Sequence, residues 1–205
     1  MTPLLTGVFA SQISGHLNTF SPTGSFDALA TYTVPAGGTS SITFAGLPTG
    51  GQYKHLQIRF TGASNRSVAY SSLLMRVNGD TGNNYAYHVL VGDPRPSIDT
   101  SSAGSQSSIY LGSIVTGTTF SGLNSYYTGA AVIDLIDYAS NTKNKTIRSL
   151  GGSDRNGVGN AGISGNVGIA SGLWLNSTTL INSVTLFSDT DFIENTNISI
   201  YGVKG

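Results

Sequence analysis

Two acidic loops, three histidines and a set of aromatic rings are the residues of this chain whose types suit chemistry. Asp189, Asp191 and Glu194, in Ser188-Asp-Thr-Asp-Phe-Ile-Glu194, bring carboxylates close enough in sequence for one loop to gather oxygen ligands around calcium. The loop Asn78-Gly-Asp-Thr-Gly-Asn-Asn84 carries similar ligands. Neither follows the twelve-residue EF-hand pattern, and Asx-turns or solvated loop carboxylates account for both, so no metal is expected. His16, His55 and His88 lie far apart and in no HxxxH or HExxH spacing, and a histidine on an alternating strand is ordinarily structural. No Gly-x-Ser-x-Gly elbow follows a strand, and a chain without cysteine has no thiol nucleophile. Neither a catalytic residue nor a cofactor is expected. Tyr85, Tyr87, Tyr126, Tyr127 and Trp174 are candidates for a sugar-stacking face; the simpler account of aromatics on alternating strands is core or subunit interface. Trp174, in Ser171-Gly-Leu-Trp-Leu-Asn176, reads as buried, whereas Tyr126-Tyr127 beside Gly129 reads as exposed.

Composition narrows the function further. Charged residues make up 10% of the 205 positions against a usual quarter or so, ten of each sign, with 27 glycines. Zero net charge supplies no basic surface for counterion release, which argues against a nucleic-acid ligand. So little like-charge repulsion leaves copies of the chain free to associate. No apolar run reaches the 18 or more residues of a membrane span, so a soluble protein is expected. Met1–Phe20 has an apolar stretch but lacks the positive flank of a signal peptide and is interrupted by Pro3, Gln12 and His16, so it is expected to be retained.

The chain divides into an arm, residues 1–25, and one domain, residues 26–205. In the arm Leu4, Leu5, Val8, Phe9, Ile13 and Leu17 form a loosely helical apolar stripe that ends in Ser21-Pro-Thr-Gly-Ser25. An extended or partly helical apolar arm on a polar hinge either folds back on its own domain or seats on a neighbour, and these six residues are the candidate partner contacts. From Phe26 onward the pattern is short strands between turn signals. Eleven segments qualify: 29–34, 39–44, 55–60, 72–77, 85–91, 108–114, 130–138, 146–150, 165–174, 183–187 and 198–203. Alternation is clearest in Leu56/Ile58/Phe60 and Leu73/Met75/Val77, and the breaks carry turn chemistry such as Asn78-Gly79-Asp80. Thr100–Ser108, rich in serine, reads as a surface loop. About ten strands with no convincing long helix predict an all-β, jelly-roll-like two-sheet sandwich.

Several blocks in order, Ser25-Phe-Asp-Ala-Leu-Ala-Thr-Tyr-Thr-Val34, Tyr53-Lys-His-Leu-Gln-Ile-Arg59, Asn84-Tyr-Ala-Tyr-His88, Lys145-Thr-Ile-Arg-Ser-Leu-Gly-Gly152, Ser171-Gly-Leu-Trp174 and Ile200-Tyr-Gly-Val-Lys-Gly205, resemble virion structural proteins of tailed bacteriophages. The resemblance spans nearly the whole chain and carries no catalytic residues. It implies a particle component made in the host cytoplasm: an outer capsid cement (decoration) protein, a homotrimer bound to the major capsid protein. The alternative is a tail-associated protein recognising neutral glycans, with Tyr126 and Tyr127 as its aromatics.

Overall fold

A computed structural model describes residues 25–68, 70–93, 98–115, 128–154 and 165–205. It is all-β, with twelve strands in chain order: β1 (Phe26–Thr33), β2 (Thr39–Ala45), β3 (His55–Gly62), β4 (Tyr70–Val77), β5 (Tyr85–Gly92), β6 (Ile98–Gln106), β7 (Ile109–Val115), β8 (Gly129–Ile136), β9 (Lys145–Asp154), β10 (Gly165–Trp174), β11 (Ser183–Phe192) and β12 (Asn197–Val203). They form an eight-stranded sheet, β1-β12-β3-β8-β9-β10-β5-β6, and a four-stranded sheet, β2-β11-β4-β7, antiparallel throughout. Setting aside β5-β6 and β9-β10 leaves β1-β12-β3-β8 facing β2-β11-β4-β7, the two four-stranded sheets of a jelly roll. The other four strands are two hairpins, one inserted between β4 and β7 and one between β8 and β11. Both extend the same sheet.

Period-two alternation builds the core. Leu56, Ile58 and Phe60 of β3 and Ile133 and Leu135 of β8 point inward against Leu73, Met75 and Val77 of β4 and Val184 and Leu186 of β11, all essentially buried. Under the hairpin strands the inward positions become small: Ser149 and Gly151 on β9, Gly168, Ala170 and Gly172 on β10. That lets β7 pack directly beneath β9 and β10, with Ile109 against Gly172 and the Ser149 hydroxyl donating to the Leu111 carbonyl.

The β4–β5 connection is the turn expected at Asn78-Gly79. Both residues have positive φ, 52° and 65°, and the Asp80 amide donates to the Val77 carbonyl at 2.9 Å. One expectation is corrected: Thr100–Ser108 is not a loop, since residues through Gln106 belong to β6. β6 is an edge strand exposed along nearly its whole length, so it has no covered face to impose alternation. The arm residues Leu4, Leu5, Val8, Phe9, Ile13 and Leu17, and Tyr126 and Tyr127, lie outside the described residues.

Candidate interaction face

Most of the polar groups that suit chemistry are engaged inside the protein. The Asp80 carboxylate accepts from the Trp174 indole Nε1 at 2.8 Å, the Gly82 amide at 2.8 Å and the Asn84 side-chain amide at 3.0 Å. The indole bond, with help from Asn84 and Gly82, holds its pKa below the ordinary carboxylate range. The loop 78–84 is therefore an Asx-type brace closed by Trp174, with its carboxylate turned to the protein. The Tyr85 hydroxyl donates to the Asp80 carbonyl at 3.0 Å, and burial pushes that phenol up to about 12. In the same cross-strand row, Lys145 is wholly buried. Its ammonium donates to the carbonyls of Lys143 and Asn176 at 2.8 and 3.1 Å and sits 5.7 Å from the Trp174 ring centre, while desolvation lowers its pKa.

Three other acids are likewise committed, while Glu194 stands exposed. Asp189 bonds Arg66 at 2.7 Å and the Ser72 amide at 2.8 Å. Asp27 accepts from Lys204 and Tyr53, and Asp137 from Lys143; both carboxyls are held low, chiefly by those lysines. His55 Nδ1 accepts the Asp137 amide at 2.9 Å, whereas His88 stands exposed on β5. The two histidines lie on strands β3 and β5, separated by three others, and no cluster of three metal-ligating side chains forms among the described residues. No helix there is long and apolar enough to cross a membrane.

Three of the five aromatic candidates for a sugar face belong to the core, as the simpler account of strand aromatics expects. Tyr85 and Trp174 are buried, and Tyr87 turns inward to pack at a tilt against Tyr110 with ring centres 5.7 Å apart. The inward side of β5 and β10 is core, so these rings have no stacking face to offer a ligand.

The outward side of the same strands is where the structure departs from an ordinary soluble surface. Register places Val132 (β8) beside Leu150 (β9), Leu150 beside Ile169 (β10), and Ile169 beside Leu90 (β5). The neighbouring row contains Val167 and, at the sheet edge, Ile98. These six aliphatic side chains are 40–69% exposed on the face turned away from the four-stranded sheet. At about 4.8 Å per strand the band runs roughly 20 Å across the sheet. It leaves on the order of 600 Å² of apolar side chain in water, the upper end for a monomer's largest patch.

A polar row borders the band. Asp134 accepts from Gln57 at 3.0 Å and from Arg148 at 3.3 Å, and Arg59 lies 4.9 Å over the Tyr201 ring. An apolar centre with a paired polar rim is the anatomy of a protein interface. Its signal in the sequence is the loss of alternation: Val89-Leu90-Val91 and Ala131-Val132-Ile133 place aliphatics on both faces of their strands. No protein-family model matches this chain, and no curated protein has a similar sequence.

Proposed function

We propose that this protein is a structural component of a bacteriophage particle, an outer capsid cement protein that ties capsomers together. The observation that supports this reading best is the exposed aliphatic band on the eight-stranded sheet, a surface whose burial is worth about 25 cal/mol per Å². The resemblance of the strand sequences to virion structural proteins supplies the setting, and the occupied carboxylates agree with a role in binding surface to surface. Packaged DNA pushes a shell outward, and an external protein opposes separation by the area it buries across each seam, repeated over many symmetric copies.

Copy number on purified particles is the direct test. Hundreds per particle are expected, and a handful located at the tail would replace this reading with the glycan-recognising one. Attachment is also expected to need the arm, because Leu4, Leu5, Val8, Phe9, Ile13 and Leu17 each gain about 1.5–3 kcal/mol on full burial. A chain lacking residues 1–20 should melt at an unchanged temperature yet occupy capsids at reduced density. A large drop in melting temperature would assign the arm to the protein's own core instead.

A further inference from the structure

The outward face of β9-β10-β5-β6 alternates small and large side chains along one cross-strand row. Gly152, Val167, Gly92 and Ile98 follow one another across the four strands, small and large in turn; at Gly152 a Cβ would already meet the Asn166 carbonyl oxygen and Val167 Cγ2, so the open hole of the row is at Gly92. A Cβ built on Gly92 would touch nothing within 4 Å among the described residues. Val167 and Ile98, by contrast, are 60% and 69% exposed.

Such a row is complementary to its own two-fold image, and the geometry points to a second copy of this chain as the occupant of the face. The pairing rests on the same band as the cement reading and specifies its partner. Consider a two-fold axis parallel to the strands and midway between β10 and β5. It sets β10 over the β5 of the second copy, and β9 over its β6, with each residue kept at its own level. Val167 then faces Gly92 and Ile98 faces Gly152, twice each by symmetry. In the next row Ile169 faces Leu90 and Leu150 faces Thr100. In the polar row Arg148 faces Ser102 and His88 faces Ser171, so no like charges are stacked.

Area and charge favour this occupant. Each copy contributes on the order of 500 Å² of apolar side chain from the five band residues on β9-β10-β5-β6, before any rim is counted, against the roughly 800 Å² per partner of a standard stable interface. A chain of zero net charge meets no long-range repulsion from its copy. Aligned face-to-face sheets pack about 10 Å apart, the separation at which aliphatic rows interdigitate. The result is a two-fold pair, in place of the trimer anticipated from the resemblance.

Sedimentation equilibrium on the full chain tests it, with three variants. The unaltered protein should be a dimer in the micromolar range. Gly92→Val fills the hole with an outward side chain that the monomer has room for, and should raise the dissociation constant roughly 30-fold by blocking Val167. Ile169→Ser should weaken pairing roughly tenfold through lost apolar burial. The exchange Gly92→Val with Val167→Gly restores a knob opposite a hole and should recover most of the affinity lost in Gly92→Val. Circular dichroism should be the same for all four proteins.

A monomer throughout that range, a three-fold species, or dimers indifferent to Gly92→Val would each overturn the pairing. Dissociation on removing residues 1–24 alone would also overturn it, by making the arm the group seated on this face. A monomeric chain that still decorates capsids in hundreds of copies would remove the pair and leave the cement reading standing. A pair that responds to all three variants but is absent from particles supports the pair and removes the cement reading.

Discussion

Gly172→Ala lowers the stability of the folded chain by about 3 kcal/mol, the upper end for overpacking a tight core. Gly172 lies on the inward side of β10, directly above β7. A methyl group there would overlap Cγ2 of Ile109 and lie 3.2 and 3.3 Å from its Cδ1 and Cβ. Ile109 cannot swing clear, because its β-branch leaves few rotamers and the residue is wholly buried. For a chain of this length the loss appears as a fall of roughly 6–12 °C in melting temperature. The cause is separable from any general intolerance of β10 by a double-mutant cycle in urea. Ile109→Ala alone should cost about 2–5 kcal/mol as a cavity, and Gly172→Ala added to it should cost nothing further. Additive losses would mean that the two residues are not in contact as described.

Asp80→Ala is the second large effect, at about 3 kcal/mol. The substitution leaves the indole Nε1 of buried Trp174 without an acceptor and frees the amides of Gly82 and Asn84, where one charge-assisted hydrogen bond alone is worth about 1.5–3 kcal/mol. Trp174→Phe removes the orphaned donor, so the double variant should recover part of the loss. The effect depends on pH with a definite sign. Folding lowers the Asp80 pKa, so the unfolded chain takes up its proton first, near the ordinary value of about 4. The contribution is complete above that pH and is lost as pH falls through the lower folded value. Asp27 and Asp137 shift in the same direction and add to an acid-sensitive fold. Urea midpoints at pH 7 and pH 3 should therefore converge for the unaltered chain and Asp80→Ala; an equal gap at both would refute the assignment.

Most of the body was legible from side-chain period and turn chemistry, because the two-sheet core writes itself into alternation. Leu56/Ile58/Phe60 and Leu73/Met75/Val77 are inward on facing strands, and Asn78-Gly79 makes the turn their residue types require. What stayed hidden follows from the same physics. β6 has neither face covered, so its sequence resembles a loop. Trp174 reads as buried, but the bracing of Asp80 by Tyr85 and Trp174 stayed hidden, because only register brings the three together. The aliphatic band needs five strands brought into register, and four of its six residues, Leu90, Val132, Leu150 and Ile169, are neighbours only across strands separated by 18 to 79 positions.

The sheet order also makes the two hairpins unequal in what depends on them. In β8-β9-β10-β5-β6 the hairpin β9-β10 pairs with the jelly-roll edge strand β8, while β5-β6 pairs only with β10. Loss of β5-β6 would leave every other ladder of the sheet intact, whereas loss of β9-β10 would strip both β8 and β5 of a partner at once.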